Sequence, residues 1–343
     1  MFRPNPRCLL SRTSCPSDPD TSIRATHRQV LWFGQQLCPP LICLCFCISL
    51  QESGAMVGVQ PRKSYTLQTG RGPIELGGRT LVMGILNVTP DSFSDGGKFA
   101  GFDQAVAQAF RMIEEGADIL DVGGESTRPF SEPVPVQTQL ERVIPVIEAV
   151  RRKSDIPISI DTDKAEVGRQ ALAAGADILN DVSSLRFDPE MASLAASSGA
   201  PLILMHMLGT PKNMQQSPTY HSLFSEIVAF LEERIRFAVQ NGVSRNQIVI
   251  DPGIGFGKTV EHNLAIIRNI EAFHCLDRPI LLGASRKRFI GNVLGKPEEG
   301  REIGTAIVNS FGAAGGAHIL RVHDVGINRQ VAMLADAIRN AQL

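Results

Sequence analysis

Leu81 to Gly97, LVMGILNVTPDSFSDGG, is apolar through Val88 except for Asn87 and then breaks into turn-forming residues. An apolar run of that length suits a strand buried on both faces, as in a parallel sheet covered by helices. The polar loop after it carries Phe93 with no apolar partners in its neighbourhood. That ring is either a core plug or a stacking surface for a flat ligand.

From residue 64 the pattern becomes periodic. SYTLQTG and RGPIELGGRT, around a Gly-Arg-Gly turn, predict a short hairpin suited to closing one end of a barrel. Residues 102–115 place Val106, Ala109, Phe110 and Ile113 on one helical stripe that stops at Gly116. Strands are predicted at 81–88, 117–124, 156–162, 177–182, 201–207, 247–253, 279–285 and 318–324. Helices follow at 102–115, 137–152, 164–174, 188–198, 221–240, 260–273 and 301–314, with a last one ending at Asn340. GADILDV at 116–122, GADILNDV at 175–182 and GAHILRV at 316–322 repeat one helix-to-strand junction. Eight strands, each followed by a helix, over about 260 residues give the count of a (β/α)8 TIM barrel. An open doubly wound sheet is the alternative, disfavoured by the lack of an early phosphate fingerprint.

Composition narrows the partners. With 43% apolar and 20% charged residues, the 343-residue chain has ample material for a core. Its net charge is -1 and its Lys and Arg residues are scattered, so neither nucleic acid nor a membrane surface is an expected partner; small molecules are. Six of the seven cysteines precede residue 50, leaving Cys275 alone in the remainder. Residues 1–55 therefore read as a leader of a different kind from the 56–343 catalytic domain: a dispensable, disordered leader or mis-set start with Met56 as the natural beginning, a targeting segment, or a metal or disulfide cluster. LICLCFCISL at 41–50 is too short to span a bilayer, and the scarcity of cysteine afterwards fits a reducing cytoplasm.

In a barrel of this class the active site gathers at the C-terminal ends of the strands. The polar residues there are Asn87, Asp121, Asp161, Asn180, His206, Asp251, Ser285, Arg321 and His323. Taken alone, His206 is more ordinarily a satisfied core group; together the nine form a constellation. Arg321 and His323 are two apart in a strand and share a face, which suggests an anionic group. The competing reading is a buried ion pair of Arg321 with Asp324 or Asp121. For Asp161 and Asp251, acid–base or metal roles compete with recognition of N–H groups; no His-rich spacing supports zinc, and with Asn180 they suit the edge of an amino-pyrimidinone heterocycle. DPGIGFGKT at 251–259 misses the nucleotide-binding spacing and reads as a glycine loop permitting close backbone approach. Lys287 in the segment SRK adds a cation for a ring carbonyl or an anionic leaving group.

LNVTPDSFSDGG, GGESTRP, IDTDKAEV, ILNDVSS, LMHM, DPGIGFGK, GASRK and RVHDV occur in the order of the signature segments of the dihydropteroate synthase family, which the chain resembles over residues 64–343. The resemblance implies a pterin-binding barrel and a transferase joining (7,8-dihydropterin-6-yl)methyl diphosphate to 4-aminobenzoate, with Mg2+ as cofactor and a homodimer as assembly. It places Asn87 near the metal and Thr127, Arg321 and His323 at the diphosphate. It also places Asp161, Asn180, Asp251 and Lys287 around the pterin, and Phe93, Pro129 and Ser285 near the aminobenzoate. Asp161, Lys287, Arg321 and His323 would carry the catalysis, and Thr89 to Gly97 and Ser126 to Pro129 would be mobile covers.

The chain departs from the family pattern at Phe130-Ser131, Asp163, Leu208 and Ile254, of which Phe130 bears on loop shape and so on sulfonamide affinity. Its end just after the eighth helix predicts a chain without a fused pyrophosphokinase domain. Two rivals remain at this level. One is a methyltetrahydrofolate-binding methyltransferase barrel, which would lack the TPDSFSDGG loop and the SRK segment; the other is a catalytically silent pterin-binding homologue, which would keep Asp251 and Asn180 while losing loop residues.

Overall fold

A computed structural model describes residues 62–89, 97–126 and 133–341. The leader, its cysteines and the boundary at Met56 lie outside these residues, as do Phe93, Thr127, Pro129 and Phe130-Ser131.

The hairpin comes first in the chain. Strands β1 (Tyr65–Thr69) and β2 (Gly72–Leu76) pair antiparallel about a two-residue turn, where Gly72 takes a positive φ of 127°. Eight parallel strands follow: β3 (Leu81–Asn87), β4 (Ile119–Gly123), β5 (Ile158–Asp161), β6 (Ile178–Asp181), β7 (Leu202–Met205), β8 (Ile248–Asp251), β9 (Leu281–Leu282) and β10 (Ile319–Val322). They pair in the order β8-β7-β6-β5-β4-β3-β10-β9, and a parallel bridge from Ile250 to Ile280 joins the two ends of that sheet. The expected TIM barrel is therefore what the chain forms.

Alternation along the strands divides the core into an inner and an outer part. Val82, Leu86, Leu120, Ile158, Leu179, Leu202, Ile250 and Leu320 belong to a large cluster shared with the surrounding helices. Their neighbours Leu81, Met83, Ile119, Ile178, Ile203, Val249, Leu281 and Ile319 point inward and form a second cluster with Leu67, Ile74 and Leu76 of the hairpin. These inward residues come from the starts of the strands, so the hairpin stoppers the N-terminal end of the barrel. Replacing a buried Leu by Ala costs about 2–5 kcal/mol. For Leu76→Ala a loss of that order is expected in urea unfolding, with no direct effect on a site at the opposite end.

Three details differ from the sequence reading. The strand expected over 279–285 is only Leu281–Leu282, with an isolated parallel bridge at Ile280 before it and a turn at Ser285 and Arg286 after it. The helix expected over 260–273 ends at Arg268 and continues as a 3-10 turn, Ile270–Leu276, since Asn269 leaves the helical region at φ -124°, ψ 42°. An additional helix, Arg288–Leu294, precedes the one at Glu302–Ala314. It buries Phe289 and Ile290 and stops at the left-handed Gly295.

Candidate active site

Strand register brings the polar residues together. Asn87 pairs with Gly123, Gly123 with Asp161, and Asp161 with Asn180, so the four lie in one row across β3, β4, β5 and β6. Gly123 keeps that row open, since a Cβ there would lie 3.6 Å from Asp161 Cβ and 3.7 Å from Asn87 Oδ1. Met205 pairs with Asp251 on the far side of the ring. A cavity of about 760 Å³ opens over this end, lined among others by Asn87, Glu125, Asp161, Phe256, Lys287, Arg321 and His323. That volume suits a small organic ligand.

Arg321 joins two of the carboxylates. Its Nε donates to Asp121 Oδ2 and its Nη2 to Asp161 Oδ2, both at 2.6 Å. The ion pair with Asp121 weighed from sequence is thus present, and Asp161 is a second partner. Asp324 takes Arg286 instead, at 2.9 Å. Burial alone would lower the Arg321 pKa, but Asp121 and Asp161 outweigh it and hold the guanidinium charged. One cation between two carboxylates leaves the cluster a net negative charge. Burial, with Asp121 nearby and in spite of Arg321, accordingly pushes Asp161 up to about 7. Asp161 Oδ1 is buried and has no hydrogen-bond partner among the described residues.

Asn180 Nδ2 donates to both oxygens of Asp121, at 3.3 and 3.2 Å, which commits its amide nitrogen to the wall. Asp251 is buried and accepts from the Gly253 N–H at 2.7 Å through Oδ1. Its Oδ2 lies 3.5 Å from where a Cβ on Gly283 would sit, so glycine there keeps that oxygen uncovered. Desolvation raises its pKa, opposed by the Gly253 bond and by Lys287, Arg321 and Lys258. Lys287 Nζ lies 3.9 Å from the centroid of the Phe256 ring. His323 Nδ1 is 2.9 Å from Ser285 Oγ, which also accepts the His323 backbone N–H at 3.2 Å. A neutral His323 accepting at Nδ1 carries its proton on Nε2. Ser285, expected near the aminobenzoate, is therefore also the residue that orients His323.

His206 behaves as the satisfied core group. It is buried, meets Lys258 Nζ at 2.9 Å through Nδ1, and burial with the Lys258 charge lowers its pKa to about 2. Arg286, unremarked in the sequence, sits at φ 54° with its N–H on Thr305 Oγ1 at 3.0 Å and its carbonyl on Arg301 at 2.9 Å. These bonds hold the strained turn that presents Ser285 and Lys287. Phe256 was also missed; as the one aromatic residue of the glycine loop, it carried the same signal that singled out Phe93. Among the departures, Asp163 pairs with Lys164 at 2.8 Å, Leu208 packs beneath Gly257, and Ile254 is buried.

The pterin binding enzyme family matches residues 83–323. Over 273 residues, 79% of this chain and 94% of the relative, the sequence is 48% identical to the dihydropteroate synthase of Synechocystis sp.. The Xanthomonas albilineans dihydropteroate synthase solved with 4-aminobenzoic acid superposes with a TM-score of 0.76 at 42% identity, covering 82% of this chain and 100% of that one. The same enzyme in complex with 7,8-dihydropteroate gives a TM-score of 0.70 at 41% identity, covering 77% and 95%.

Proposed function

The chain belongs to the dihydropteroate synthase family of pterin-binding enzymes, and on that premise we propose that it joins (7,8-dihydropterin-6-yl)methyl diphosphate to 4-aminobenzoate, releasing diphosphate and forming 7,8-dihydropteroate for folate biosynthesis. The observation that carries the reading is Asp161 Oδ1, buried in the cavity wall without a hydrogen-bond partner among the described residues, one strand from Asn180 in the same row and opposite Asp251. A flat heterocycle bearing N–H groups satisfies all three.

In this reading Asp251 accepts the amino-pyrimidinone edge through its open side, and the Asn180 amide, with its nitrogen held by Asp121, offers its oxygen to the ring. Lys287, above Phe256, donates to the ring carbonyl. The methylene C–O bond breaks with its electron pair leaving on diphosphate, and the cation that remains is delocalised into the electron-rich ring. The carboxylate of Asp161 stabilises that positive charge, while Arg321 and the Nε2 proton of His323 stabilise the departing anion. The aniline nitrogen of aminobenzoate then forms the new C–N bond and gives up one proton. Thr127 at the diphosphate, and Phe93, Pro129 and Ser285 around the aminobenzoate, complete the assignment.

The donor set fits magnesium held mostly by substrate. Among the described residues no group of three or more His, Cys, Asp or Glu side chains converges on one point, and Asn87 offers a single amide oxygen at the mouth. Mg2+ keeps several waters and commonly takes one or two protein ligands beside substrate phosphates. Bound there, it would neutralise charge on the diphosphate.

Full-length and Met56-start protein are both expected to form dihydropteroate from the two substrates with magnesium. Normal pterin binding without product would instead identify a silent pterin-binding homologue. We also place the enzyme in the cytoplasm as a homodimer. No helix among the described residues is long and apolar enough to cross a membrane. The helices Glu302–Ala314 and Val325–Arg339 expose Ile303, Ile307, Phe311, Met333, Leu334 and Ile338, beside the small residues Ala306, Ser310 and Ala314, an apolar face suited to a second copy. Light scattering should find a dimer that Phe311→Asp turns into a monomer; a monomeric wild type would refute this assembly.

A further inference from the structure

Lys258 is the next-to-last residue of the glycine loop 251–259, where a phosphate-cradling lysine would be looked for, yet it is 3% exposed and turned into its own loop. Its Nζ donates to Gly253 O at 2.8 Å and Phe256 O at 3.1 Å and meets His206 Nδ1 at 2.9 Å. An ammonium has three protons, and these acceptors take all of them. Burial pushes the Lys258 pKa down to about 7, opposed by the nearby charge of Asp251. The loop is pressed onto the segment carrying His206: a Cβ on Gly253 would lie 1.8 Å from His206 O, and one on Gly257 2.6 Å from Leu208 Cβ. Gly253, Gly255 and Gly257 all take positive φ, which lets the backbone make that approach.

The two residues whose carbonyls Lys258 holds are the two that support the ring-binding groups. Gly253 gives its N–H to Asp251, and Phe256 lies under the ammonium of Lys287. We propose that Lys258 is a positioning residue for the pterin ring, acting through Gly253 on Asp251 and through Phe256 on Lys287, and not a ligand of the diphosphate. The inference rests on the pterin placement proposed above.

The test compares 6-hydroxymethylpterin with its diphosphate as ligands in calorimetry. Lys258→Met leaves two buried carbonyls and a histidine nitrogen unserved, and each such group is worth about a tenfold change in an equilibrium constant. Both ligands are expected to bind at least tenfold more weakly and by the same factor, while the aminobenzoate KM at saturating pterin diphosphate stays within about twofold. His206→Ala removes one of the three partners and should give a smaller loss with the same pattern, which keeps the test available if Lys258→Met does not fold. A loss confined to the diphosphate form would show direct phosphate contact and overturn the proposal, as would unchanged affinity for both ligands or an equal rise in the aminobenzoate KM. Failure of the wild type to bind 6-hydroxymethylpterin would instead overturn the pterin placement itself.

Discussion

Asp161→Asn is expected to lower kcat/KM for the pterin diphosphate by about 100- to 1000-fold, the range seen when one preorganised group facing developing charge is removed. The isosteric amide keeps the shape of the row and can still bond Arg321, so protein yield and the unfolding midpoint should change far less than activity. The pH profile supplies a second readout. Burial holds the Asp161 pKa up to about 7, and the carboxylate is the form that stabilises the cation. Wild-type kcat/KM should therefore fall about tenfold per pH unit below that value and level off above it. The variant has no carboxyl to titrate, so its profile should lose that limb. A limb that persists unchanged in Asp161→Asn would assign it to another group and remove Asp161 from the chemistry.

Arg321→Met should have the largest effect on stability. It strips the guanidinium that, among the described residues, alone bonds Asp121 and Asp161, which are 0% and 7% exposed, and sets two buried carboxylates against each other. Breaking a buried ion pair by removing one partner costs about 3–5 kcal/mol. The sign of its pH dependence follows from the raised pKa values the carboxyls must then take. A carboxyl whose folded pKa exceeds its unfolded value of about 4 destabilises above the folded pKa, and the penalty fades as the pH falls towards the unfolded value. Denaturant unfolding should thus show a large deficit for Arg321→Met at pH 8 and a smaller one at pH 5. The same deficit at both values would mean that lost packing, not uncompensated charge, is responsible.

Much of this was legible in the chain because a barrel converts sequence position into spatial position. Each apolar run ends near the mouth, so polar residues towards the end of a run belong there: Asn87, Asp161, Asn180, Asp251 and Arg321 all line or border the same end. What stayed hidden is the second partner of Arg321. Its pairing with Asp121 is one of the alternatives the sequence leaves open, but Asp161 is 160 residues away, and nothing local to either indicates that one guanidinium bridges two carboxylates. Lys258 was hidden differently: its spacing from neighbouring glycines was compared with a phosphate loop, whereas its partners depend on which way its side chain turns. The helix Arg288–Leu294 escaped because seven residues are fewer than two full periods plus caps, too few for an apolar stripe to stand out.

The hairpin at the N-terminal end has a kinetic consequence. Leu67, Ile74 and Leu76 seal that end of the barrel, so among the described residues the cavity at the strand ends opens away from the hairpin. In the placement proposed above, the pterin ring against Asp161, Asn180 and Asp251 takes the inner position and aminobenzoate the outer one, so aminobenzoate bound first would block the ring. Initial-rate kinetics are then expected to show a compulsory order of addition, pterin before aminobenzoate, with the closed hairpin end leaving no second route to the inner position.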